Sequence, residues 1–169
     1  MNENASVADK LQFGPGESLV TKFEANITFQ IIKGGLFGKK WLVGDEKNSV
    51  PALLLLTDRR LIFVSQFTTQ RRLVVALVVP VPAGKKHEHT LYGELAIAAY
   101  QSMNAGWLGG AEFTFSAHGV LHQQSPSHTL FKLVLPDINK KGAVAIGEAL
   151  TGMKPRAPVL EHSGRCELT

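Results

Sequence analysis

Two runs of four apolar residues, 53–56 and 61–64, stand on either side of Thr57-Asp58-Arg59-Arg60. Short apolar runs bounded by turn residues read as buried strands. The Asp58 carboxylate can hydrogen-bond backbone two residues on, which suits a turn. The simplest arrangement is a tight hairpin over residues 53–65, with Leu56 near Leu61 and Leu54 near Phe63. It commits the chain to antiparallel β structure before any other segment is considered.

The flanking sequence extends that reading. Leu19, Thr21, Phe23, Ala25, Ile27, Phe29 and Ile31 share one parity; Val20, Lys22, Glu24, Asn26, Thr28 and Gln30 share the other. A period of two with apolar residues on one side marks a half-buried strand. A strand this long has to bend or break inside a small domain. Residues 41–43 suit a short strand, and 44–49 a polar turn. Residues 73–79 read as one strand, apolar on both faces and ended by Pro80 and Pro82. Residues 84–89 read as an exposed loop. Residues 91–103 mix helix formers with the alternation of Leu95, Ile97 and Ala99, and the strand reading is preferred. Ala111, Phe113, Phe115 and Ala117 oppose Glu112, Thr114, Ser116 and His118, another half-buried strand. His118-Gly119 then turns the chain, and a further strand covers 129–135.

The period changes after Leu135. Asp137 suits a helix N-cap, and Ile138, Gly142, Ile146, Ala149 and Met153 follow at helical spacing. Gly152 and Pro155 end that helix. Residues 1–12 are expected to be a flexible N-terminus and 13–153 one domain. Residues 154–169, which mix proline with polar residues and lack periodicity, are expected to be a disordered tail.

Composition narrows the function. A 44% hydrophobic, 19% charged chain of 169 residues is an ordinary globular composition for one domain. A net charge of +4 is mildly basic, far from the excess of a dedicated nucleic-acid binder, and no nucleic-acid partner is expected. The single cysteine, Cys166, excludes an intrachain disulfide and a cysteine-based zinc site. Residues 1–6 do not resemble a signal peptide, and the longest apolar run, seven residues at 73–79, is too short to span a bilayer. A cytoplasmic location is expected, with attachment to the inner face of the membrane as its variant.

Pro15-Gly16-Glu17, the hairpin Thr57-Asp58-Arg59-Arg60-Leu61-Ile62-Phe63 and the later Tyr92-Gly93-Glu94-Leu95-Ala96-Ile97 come in an order and spacing that resembles bacterial pleckstrin-homology-like and GRAM-like domains. The likeness covers roughly residues 13–153. It implies a mainly β fold with one C-terminal α-helix: a partly open barrel of two roughly orthogonal antiparallel sheets, capped by the helix. It also implies a non-enzymatic module that binds lipids, peptides or protein surfaces. No active site is common to the family, so no catalytic residue and no cofactor is implied. Alanines stand where larger aliphatics are usual in the third landmark.

The sharpest binding candidate is the glycine-rich loop at 33–40. Leu36 and Phe37 form an apolar tip, and Lys33, Lys39 and Lys40 flank it. Apolar residues can dip into a membrane interface while lysines meet anionic headgroups, at about 1 kcal/mol each. The loop is not a P-loop, because only three residues separate Gly34 from Gly38 and Lys40 follows Lys39. The histidines His87, His89, His118, His122 and His128 suggest no metal site, since no third ligand or second shell is assignable. No Gly-x-Ser-x-Gly or His-Glu-x-x-His motif is present, and a small-ligand enzyme is the least favoured alternative. Cys166-Glu-Leu-Thr169 fits a prenylation box only in spacing. Because the hairpin and 73–79 are apolar on both faces, the outer face is expected to need a helix, a protein partner or a second copy of the chain, and a homo-oligomer using an outer sheet face or edge is expected. The main expectation is thus a protein-binding, oligomeric module, with anionic lipid as the alternative ligand.

Overall fold

The computed structural model describes residues 13–32, 39–43, 48–69, 72–75, 79–82, 85–107, 109–121, 127–157 and 164–168. Its strands are β1 (Leu19–Ile32), β2 (Lys39–Val43), β3 (Val50–Thr57), β4 (Arg60–Thr69), β5 (Arg72–Val75), β6 (Val79–Pro82), β7 (His87–Ala96), β8 (Tyr100–Ala105), β9 (Ala111–Leu121), β10 (Ser127–Leu135) and β11 (Gly164–Leu168). The α-helix α1 spans Lys140–Met153. The fold is mainly β with a helix near its C-terminal end, as the sequence predicts.

The hairpin has the predicted register: Leu56 faces Leu61 and Leu54 faces Phe63. Its turn is closed by Thr57 rather than Asp58. The Thr57 hydroxyl oxygen accepts from the Arg59 amide at 3.1 Å and the Arg60 amide at 3.0 Å. Asp58 serves the entry to β1 instead. Its Oδ1 accepts from the Ser18 amide at 3.1 Å, and its own amide donates to the Ser18 carbonyl at 3.0 Å. The reason is backbone satisfaction where the β1–β3 ladder ends.

β1 belongs to three ladders. Residues 19–27 pair with β3. Residues 28–32 pair with β10, while β2 lies along 29–32. Register shifts at Leu19/Thr21 and Phe29/Gln30 supply the predicted break in regularity. The sheet runs β10-β1-β3-β4-β7-β11-β9, and β9 pairs with β10 again, so the strands close on themselves. Every pairing is antiparallel except β11 with β9. Inside lie Ile27, Phe29, Leu54, Phe63, Phe113, Phe115 and Phe131, all 0–1% exposed. Phe29 packs on Phe63 and Phe131, with ring centroids 4.8 and 5.8 Å away. α1 lies against β8 and enters this core through Ala143 and Leu150.

Several expectations are corrected. Residues 164–168 are not a disordered tail: they form β11, which fills the gap between β7 and β9. Its pairing partners are remote in sequence, so no local periodicity announces it. Residues 73–79 are not one strand. β5 and β6 pair as a separate two-stranded ribbon, with Pro80 opposite Val74 and Pro82 opposite Arg72. Both of its strands are edges, where proline is tolerated. His118-Gly119 does not turn the chain, because β9 continues to Leu121 and is held on both sides by β10 and β11. Residues 87–89 belong to β7, paired with 67–69. Residues 91–103 are strand, as preferred, apart from a 3-10 turn at Ile97–Ala99.

Asn139, not Asp137, caps α1. Its Oδ1 accepts from the Gly142 amide at 2.8 Å, a cap of the kind that contributes about 1 kcal/mol. Asp137 is drawn away by the Asn26 side chain, which donates to Oδ2 at 2.6 Å.

The outward side chains of the hairpin, Leu53, Leu55, Ile62 and Val64, form a second cluster, 0–3% exposed, with Tyr92 against it. They are buried within a single chain. The inference that this face requires a second copy therefore does not hold.

Candidate functional site

The membrane-loop candidate is described only at its exit. Lys33, Leu36 and Phe37 lie outside the described residues. Lys39 and Lys40 open β2, opposite Ile32 and Ile31. That loop leaves β1 beyond the Ile32–Leu130 pair, at the end of the ladder away from Leu135. Residues 1–12, 44–47 and His122 are also outside the described residues.

The three sequence landmarks meet in one place. Gly14-Pro15-Gly16-Glu17 forms a turn closed by the Glu17 amide to the Gly14 carbonyl at 3.0 Å. Gly16 takes a φ of +70°, which a β-carbon would strain. The turn delivers the Glu17 side chain, 2% exposed, to Arg60. Arg60 Nε donates to Oε1 at 2.9 Å and Nη2 to Oε2 at 3.0 Å, a bidentate pair. Thr57 donates to Oε1 at 2.7 Å, and the Gly14 amide to Oε2 at 2.8 Å. The third guanidinium nitrogen, Nη1, donates to Glu94 Oε2, which also accepts from the Tyr92 hydroxyl at 2.9 Å. Burial pushes the Glu17 carboxyl up, but hydrogen bonds from Arg60, Gly14 and Thr57 outweigh it, and the carboxyl sits below its usual 4.5. Burial pulls Arg60 down, and its two carboxylate partners more than restore it.

This network looks like chemistry and works as structure. Both Glu17 oxygens are occupied by protein donors, so neither is placed to take a proton from a substrate. Its effect is to tie the lead-in of β1 to β3, β4 and β7. The neighbouring cleft, about 520 Å³, is lined by Asp58, Arg59, Gly152, Met153 and Arg156. Two of its three charged side chains are similarly engaged: Arg59 Nη2 donates to the Pro15 carbonyl at 2.9 Å, and Asp58 holds Ser18.

Among the described residues the histidines form no ligand group. His89 Nε2 lies 2.8 Å from Thr69 Oγ1, with its ring beside Phe67. His118 and His128 are register partners on β9 and β10. Among the described residues no group of three metal-ligating side chains forms.

What remains is an edge. β10 leaves β1 at the Thr28–Val134 pair, and Pro136, just beyond Leu135, has no N–H with which to continue. Along residues 19–26, β3 occupies one side and no described strand runs along the other. Leu19 and Val20 are 45% and 51% exposed, and Lys22, Glu24 and Asn26 are also exposed. Sequence reasoning found the strand but not its open side, which depends on where β10 stops.

Comparison with protein-family models, curated proteins and solved structures finds no match. Among the described residues no helix is long and apolar enough to cross a membrane.

Proposed function

We propose that the chain is a non-catalytic binding module of the pleckstrin-homology-like kind, and that it takes a protein partner by strand addition along residues 19–26 of β1. A cytoplasmic setting goes with this reading. The observation that carries it is that, among the described residues, no strand pairs with the side of residues 19–26 away from β3, where Leu19 and Val20 are exposed. Main-chain hydrogen bonds would supply affinity and alternate side chains selectivity. Hydrogen-exchange mass spectrometry tests it. A bound partner is expected to slow exchange across 19–26 and to leave the already paired segment 53–64 unchanged. Protection confined to any other surface overturns the reading.

A second reading, attachment to an anionic membrane, has one observation behind it. Trp107 is 90% exposed on the β8–β9 turn. That turn is tied to the approach of α1 by the Gly110 amide donating to the Ile138 carbonyl at 2.8 Å, two residues before Lys140 and Lys141. Tryptophan suits the headgroup region, and lysines suit anionic lipid. This tip lies beyond Leu135, at the opposite end of the β1–β10 ladder from the Ile32–Leu130 pair. Flotation with anionic vesicles separates the tip from the loop at 33–40. Loss of binding in Trp107→Ala supports the tip, loss in Lys39→Glu/Lys40→Glu supports the loop, and no flotation of the wild type removes both.

A further inference from the structure

The side of β1 along which no described strand runs has a charge pattern that selects an occupant. On its outward side the order is Val20, Lys22, Glu24, Asn26, all exposed. In an antiparallel pair, residues directly opposite share a face, so a strand pairing with its own copy has only a few registers. With Phe23 opposite Phe23 of the other copy, Lys22 faces Glu24 and Glu24 faces Lys22. Sliding by one step in one direction sets Lys22 against Lys22; in the other direction Glu24 meets Glu24. Opposite charges directly across a ladder stabilise it and like charges destabilise it. One register is thus favoured, and both symmetric alternatives next to it are penalised.

We propose that the occupant of this edge is a second copy of the chain, antiparallel about a two-fold axis at Phe23. The proposal rests on the strand-addition reading and deepens it. A two-fold pairing of identical edges closes on itself and leaves no further edge of this kind to grow from. The step off β10 sets the length of the contact: Asn26, held by Asp137, marks the end at which β10 takes over. Val20 then lies opposite Asn26, so the most exposed apolar residue of the strand is covered at either end. Phe23, half-buried and packed against the core, meets its counterpart on the inner side. Glu24 already has a contact within its own chain, and a carboxylate has lone pairs enough to accept from Lys22 of the other copy as well.

Sedimentation of four proteins at low salt decides the matter: wild type, Lys22→Glu, Glu24→Lys and the double exchange. Both positions are exposed, so folding is expected to be kept, and a matching circular dichroism spectrum checks it. The wild type is expected to dimerise with concentration. Each single exchange sets like charges opposite each other twice and is expected to weaken dimerisation about tenfold or more. The double exchange restores it. An equimolar mixture of the two single variants is also expected to restore it, because a strand acidic at both positions then faces a strand basic at both. Single variants that dimerise like the wild type overturn the register. A wild type that stays monomeric at high micromolar concentration overturns self-pairing altogether. In that case amide exchange in the monomer judges the parent reading: fast exchange at alternate positions of 19–26 keeps strand addition, and uniformly slow exchange removes it too.

Discussion

Arg60→Met is expected to lower the unfolding free energy by about 3 kcal/mol at neutral pH, the low end of the cost of removing one partner from a buried ion pair, because Arg60 is itself 19% exposed. The methionine keeps most of the stem's volume, so the loss is chiefly electrostatic. Glu17, 2% exposed, would retain a charge with its bidentate partner gone, and Glu94, 18% exposed, would lose its cation as well. Urea titration gives the measurement, with an unchanged slope showing that the unfolded state is the same.

The pH dependence identifies the cause. In the wild type the Glu17 carboxyl is held below its usual 4.5. Its stabilising contribution is therefore complete above that value and is lost as pH falls through the lower, folded-state value. Without Arg60 the first of the lowering causes is gone, while the Gly14 and Thr57 donors remain, and the folded-state value rises toward the unfolded one. The variant then loses less stability than the wild type as Glu17 takes up a proton in acid. The gap between the two proteins should be widest at neutral pH and narrow below about pH 5. A gap that stays constant with pH would mean that packing, not charge, accounts for the loss.

Gly93→Ala is expected to be the most damaging change of a small residue, at about 3 kcal/mol or more, because overpacking a tight site forces side chains off their rotamers. A β-carbon at Gly93 would lie 2.0, 2.3 and 2.7 Å from three atoms of the Phe63 ring. Phe63 is its register partner on β4, and its ring also packs on Phe29. The ring cannot retreat without displacing the aromatic core. Gly93→Ala/Phe63→Leu tests this. The second substitution costs stability alone but should recover part of the loss when combined, since it removes the ring atoms in the way. Additive losses in thermal unfolding would show that Gly93 matters for another reason.

Gly93 and Glu17 show where the sequence is readable and where it is not. The hairpin register and the parity of β1 are legible because both follow from a local period of two that the core then enforces. The elements missed depend on contacts far along the chain. β11 has no period of its own and takes its place from the gap between β7 and β9. Asp137 is a sound cap by type, yet Asn26, over a hundred residues earlier, claims it. Pro15-Gly16-Glu17, the Thr57–Arg60 turn and Glu94 are legible as landmarks, but their meeting in one ion-pair network is not, because nothing local says that a turn at 14–17 will deliver a carboxylate to β4. The open side of β1 could be suspected from Pro136, the residue that stops β10. The exposed Trp107 stands in a turn that the glycines of 104–110 do announce.

The place of β11 bears on how the protein is made. Residues 164–168 sit between two strands formed long before them. On the ribosome, β7 and β9 are exposed first and must wait for this later segment to clear the exit tunnel. Meanwhile each offers bare backbone to any neighbouring nascent chain, the circumstance in which strands mispair and chaperones are needed. A message cut short just before this segment would give a chain with nearly all of the core residues and a permanently open seam.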